Sequence, residues 1–128
     1  MRVESENKGT IAAKSYNFAV NTVLLYKYLS ETKKEFILSK QFLRSGTSIG
    51  ANVREAQQAQ SKSDFLNKMN IALKEANETL YWIDLLFDAD YITAEKKQYY
   101  YKECNELTSL LAAIVKTTKN NLGSKYAK

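Results

Sequence analysis

The sequence has no histidine and no proline, a single cysteine and only four glycines. Lack of histidine removes the commonest general base and the commonest metal ligand. One cysteine, Cys104, cannot close an internal disulfide, which fits a reducing, cytoplasmic setting. Without proline and with so little glycine, few residues interrupt a helix. Long hydrophobic runs are missing too, because Lys, Glu or Asn breaks the apolar positions every few residues, and no membrane-spanning segment is expected. The opening M-R-V-E-S-E-N-K carries no apolar core, so no secretory leader is expected.

The 128 residues, 45% of them hydrophobic, suit one domain over 1–128, with polar ends at 1–8 and 124–128 expected as flexible tails. A net charge of +5 and a pI near 9.2 favour anionic partners, though mildly.

Apolar residues recur at helical spacing in four stretches. Thr10 is placed to cap the first, whose stripe is Ile11, Ser15, Phe18, Thr22, Leu25 and Leu29, widened by Ala19, Val23 and Tyr26, ending near Ser30. Thr32-Lys33-Lys34-Glu35 reads as a capping box opening the second. That second stripe runs Leu38, Phe42, Ser45, Ile49, Asn52 and Ala56, through the poor helix formers S-G-T-S-I-G. A kink would split this stretch, but the stripe keeps its phase across Gly46 and Gly50. A continuous helix whose small face admits a neighbouring backbone is therefore the expectation.

Ser61 or Ser63 is the expected cap of the third helix, with the stripe Phe65, Met69, Ala72, Ala76, Leu80, Ile83 and Phe87. After a connector near Asp88–Ile92, Thr93 caps a fourth with the stripe Tyr100, Cys104, Leu107, Leu111, Ile114 and Thr118. Gly123 is the expected left-handed terminator. Four helices with short connections imply an all-α, antiparallel up-down-up-down four-helix bundle.

Little here suits catalysis. Glu75-Ala-Asn-Glu78 has the spacing of a di-iron bundle motif but lacks its histidine, and Glu55, Glu75 and Glu78 alone make a poor metal set. Cys104 sits on an apolar stripe as a small hydrophobe rather than a nucleophile. S-G-T-S-I-G has neither the Gly-Lys-Ser/Thr ending nor the preceding strand of a phosphate loop. The expectation is no enzyme, no cofactor and no metal. Basic residues are better placed to act: Lys40, Arg44, Arg54, Lys62, Lys68, Lys116 and Lys119 are candidates to neutralise phosphates, with Lys125 and Lys128 closing the chain. Tyr99-Tyr100-Tyr101 cannot all enter one core, since consecutive helical residues point about 100° apart, so one is exposed or in a subunit contact.

The segments K-Q-F-L-R-S-G-T-S-I-G-A-N-V-R-E-A and S-K-S-D-F-L-N-K-M-N-I-A-L-K-E-A-N-E-T-L-Y-W-I resemble the bacterial 23S rRNA intervening-sequence proteins. Ser45, Ser48, Ile49, Ala51, Asn52, Val53, Glu55, Ala56, Phe65, Ala72, Glu75 and Glu78 carry the match. Val53 replaces a more usual Ile, and Gln57-Gln58-Ala59 stands where many members have Gly and a basic residue, which weakens a phosphate contact there. The resemblance implies a four-helix bundle assembling as a ring-like homopentamer. A related bundle, the accessory variability determinant of diversity-generating retroelements, works with a reverse transcriptase and binds nucleic acid. By the same resemblance Asn52, Glu55, Glu75 and Glu78 form a polar network within or between subunits. The expected function is a non-enzymatic homo-oligomer that binds RNA or DNA through its basic surface. The alternative is a scaffold that docks an unidentified protein partner without touching nucleic acid.

Overall fold

A helix begins where a side chain can satisfy the free N–H groups of the first turn, and all four starts here follow that rule, three of them through a hydroxyl at the cap position. In the computed structural model, which describes residues 9–126, the order is α1 (Ile11–Glu31), α2 (Leu38–Ala56), α3 (Lys62–Asp88) and α4 (Ala94–Tyr126). Thr10, Ser61 and Thr93 accept from the N–H groups of Ala13, Asp64 and Lys96 at 3.1, 3.0 and 3.1 Å. Each helix packs on the next, α1 on α2, α2 on α3 and α3 on α4, and α1 touches α4 more slightly. The result is the all-α four-helix arrangement the spacing implies.

The fourth start differs from the expected capping box. Thr32 ends α1 instead, its N–H bound to the Tyr28 carbonyl at 2.9 Å. Lys34 takes a left-handed φ of 57° and turns the chain. Glu35, 8% exposed, then caps the following helix: its carboxylate accepts from Ile37, Leu38 and Ser39 N–H at 3.1, 2.9 and 2.7 Å. Burial pushes its pKa up, but these N–H donors and the Ser39 side chain outweigh burial and hold it below the ordinary 4.5 of a glutamate. A depressed carboxylate stabilises the fold above its unfolded pKa, and that stability is lost as pH falls through the folded pKa. Glu35→Ala is therefore expected to cost about 1–3 kcal/mol at neutral pH. The deficit should shrink as pH drops below 4.5, read from urea midpoints at each pH.

The core collects Phe18, Leu25 and Leu29 of α1, Phe42, Ile49 and Val53 of α2, Met69, Ile83 and Leu86 of α3, and Cys104, Leu107 and Leu111 of α4. Phe42 is fully buried, with the Tyr100 ring edge-on at 6.2 Å. Helix α2 runs unbroken through the glycine-containing stretch. A Cβ on Gly50 would lie 3.1 Å from the Ser15 carbonyl oxygen, and one on Gly46 2.8 Å from Thr22. The glycines thus let α1 and α2 close together, and the small polar residues at the contact satisfy themselves. Thr22 donates to the Phe18 carbonyl at 2.8 Å, and the Ser45 and Thr79 hydroxyls share a 2.8 Å bond between α2 and α3. Among the described residues no buried side-chain polar atom lacks a partner.

Asn52 leaves the expected core stripe: it is half-buried and donates to the Ser48 carbonyl at 2.9 Å, while Val53 takes the core position. The fourth helix also outlasts its expected end. Gly123 has no left-handed φ, and the helix continues through it to Tyr126. The expected tail at 1–8 lies outside the described residues, as do residues 127–128, with Lys128, and the Lys125 side chain; residues 124–126, expected as the start of the other tail, continue the helix.

Candidate nucleic-acid interface

Helix register decides which cations meet. Cys104 Sγ donates to the Ala76 carbonyl at 3.4 Å, which sets the antiparallel register of α3 and α4. Twelve residues further along each helix, Lys116 is level with Asp64, and Lys119 with Ser61. Lys68 pairs with Glu55 at 3.1 Å across α2 and α3, near the same level. Arg54, Lys62, Lys68, Lys116 and Lys119 therefore gather at the end of the bundle where α2 and α4 finish and α3 begins. Lys40 and Arg44 lie toward the other end. There Lys33, Lys34 and Lys40 are interspersed with Glu31, Glu35, Asp88, Asp90 and Glu95.

The candidates differ in how free they are. Arg44 is held by two carboxylates of α3, Glu75 at 3.1 Å and Glu78 in a short contact. Glu78 also accepts from the Trp82 indole N–H at 3.0 Å, and that bond, against the opposing effect of burial and with help from Arg44, keeps its carboxyl below the usual range. The hydrogen bond to Glu78 raises the Arg44 pKa in turn. Arg54 stands over the Tyr16 ring, 5.8 Å from its centroid. None of the ion pairs among the described residues uses Lys40, Arg54, Lys62, Lys116 or Lys119.

The expected polar network divides into separate pieces. Glu75 and Glu78 clamp Arg44, Glu55 pairs with Lys68 three turns along α2, and Asn52 bonds within its own helix. The three glutamates do not converge, and among the described residues no cluster of three or more His, Cys, Asp or Glu is placed to hold a metal. Cys104 is fully buried and burial pushes its thiol up to about 12, so it stays protonated. Tyr100 is likewise pushed up to about 12, by burial and then by Tyr99; its hydroxyl donates to the Asn21 carbonyl at 2.9 Å. Tyr99 is the exposed member of its triplet, accepting from Asn21 Nδ2 at 3.1 Å.

Two surface features lie off the core stripe of α1, and Val23, whose spacing places it at the edge of that stripe, is exposed instead. Tyr16, Val20, Val23 and Leu24 are exposed on one face of α1, opposite its core stripe, and Tyr16 also walls a groove of about 730 Å³ between α1 and α2. The signal was present as apolar residues at i, i+4, i+7 and i+8 off the core phase. No helix among the described residues is long and apolar enough to cross a membrane.

Residues 7–113 match the family model described as 23S rRNA-intervening sequence protein. Among solved structures, the chain is similar to a protein of unknown function from the S23 ribosomal protein family of Bacteroides thetaiotaomicron VPI-5482, determined at 1.70 Å. The two are 56% identical with a TM-score of 0.83, and the alignment covers 84% of this chain and 99% of the other. No curated protein matches.

Proposed function

Because the chain belongs to the 23S rRNA-intervening sequence protein family, we propose that it is a non-enzymatic cytoplasmic homo-oligomer that binds nucleic acid through the basic end of its bundle. The observation that carries this reading is the gathering of Arg54, Lys62, Lys68, Lys116 and Lys119 at one end, four of them outside any ion pair among the described residues. Unpaired cations add to the phosphate attraction, whereas Arg44, held by two glutamates, contributes less. Self-association is supported by the outward face of α1, since a helix apolar on both sides is normally covered. The family resemblance suggests a pentamer, and several copies would supply avidity that one bundle lacks.

The test is the affinity for structured RNA and duplex DNA across a salt series, with solution mass measured in the same buffer. Steep loss of binding with salt, from an oligomer, is the expected result. No binding at low salt would reject it. A second reading, a scaffold for another protein, is favoured by the compact apolar patch of Val20, Val23 and Leu24. That reading predicts nuclease-insensitive co-purification of one defined protein.

A further inference from the structure

The α1–α2 groove exists because Gly46 and Gly50 draw the two helices together while the outer rim, Ala12, Ala19, Thr47 and Ala51, is too short to fill the space above. Its volume of about 730 Å³ lies in the range of small-molecule sites. One wall is the Tyr16 ring, 48% exposed, with the Arg54 guanidinium at the rim. Arg54 takes part in none of the ion pairs among the described residues, and Glu55, which also lines the groove, has its carboxylate paired with Lys68 at 3.1 Å. A cation outside the ion pairs of the described residues therefore stands over an exposed tyrosine ring, on the same end of the bundle as Lys62, Lys116 and Lys119.

An occupant matched to this groove has a flat body to lie on the tyrosine and an anion for the guanidinium. A second copy's α1 patch fits less well: Val20, Val23 and Leu24 adjoin Lys27 and bring Arg54 no negative charge. A paired duplex fits less well too, because its bases are stacked on one another and offer no free face.

We propose that the groove holds an unpaired nucleotide of an RNA or DNA strand, its base against Tyr16 and its phosphate on Arg54. This rests on the nucleic-acid reading above and adds a preference for single strands. Tyr16 supplies stacking, which tolerates any base, and Arg54 fixes the backbone, so little sequence preference is expected.

The test uses fluorescence anisotropy with a labelled single-stranded oligouridylate and a labelled RNA duplex of the same length, at one fixed salt. Tyr16→Ala should weaken single-strand binding by about 5- to 100-fold and leave duplex binding unchanged, the scale expected for one lost stacking partner. Tyr16→Phe keeps the ring and should restore it. Ala51→Phe, which fills the groove, should reproduce the loss, with circular dichroism confirming that each variant is folded. If Tyr16→Ala changes neither affinity, or both equally, the base site is wrong while phosphate binding at the basic end survives. Should Ala51→Phe alter the mass in solution without altering single-strand affinity, the groove is a contact between copies and the proposal falls. Absence of binding to either strand form by the unaltered protein overturns this proposal and the underlying function together.

Discussion

Gly46→Leu is expected to destabilise the protein by about 3 kcal/mol or more, the upper end for overpacking. A Cβ at position 46 would sit 2.8 Å from both Thr22 Cγ2 and Oγ1 and 3.3 Å from Thr22 Cβ. Thr22 has little room to give, being fully buried, with its hydroxyl on the Phe18 carbonyl at 2.8 Å. Its β-branched side chain has few alternative rotamers in a helix. Gly46→Ala pits this clash against about 1 kcal/mol of improved helix propensity, and the clash should win. Thr22→Ala removes the two atoms at 2.8 Å and leaves only Cβ at 3.3 Å, which a shift of a few tenths of an ångström relieves, so in that background Gly46→Ala should change sign and stabilise by up to about 1 kcal/mol. A double-mutant cycle of urea midpoints reads the coupling. Additive effects would mean that the close α1–α2 approach is not what glycine serves here.

The fold was legible where the signal is local. Hydrophobic phase carried α2 across its glycines, because the 3.6-residue period survives even where propensity is poor. Thr10, Ser61 and Thr93 act within their own first turns and were readable as caps. Glu35 is legible as a capping residue but its partner is not: a Thr-x-x-Glu pattern does not reveal that the preceding helix retains the threonine. Gly123 does not act as a stop: the helix runs through it to Tyr126, although Thr117, Thr118, Asn120 and Asn121 before it are weak helix formers, so local propensity alone does not place this end. Site residues were legible as charge but not as free charge. Arg44 finds its glutamates 31 and 34 residues away, and Tyr16 meets Arg54 across two helices, pairings that no local spacing encodes.

The larger functional effect concerns the two ends of the bundle. Lys62, Lys116 and Lys119 belong to the basic end, while Lys33, Lys34 and Lys40 sit among carboxylates at the other. The two triple variants, K62Q/K116Q/K119Q and K33Q/K34Q/K40Q, remove equal charge from exposed positions. If phosphates dock at the basic end, the first variant should lower the slope of log affinity against log salt by about 3, one for each lost phosphate contact. It should also weaken RNA binding at every salt concentration, whereas the second should leave the slope near that of the unaltered protein.

The measurement to make is therefore the salt dependence of structured-RNA affinity for the unaltered protein and these two variants side by side. A reduced slope confined to K62Q/K116Q/K119Q is the predicted result. Equal losses from both variants would show that only net charge matters and would contradict a binding end.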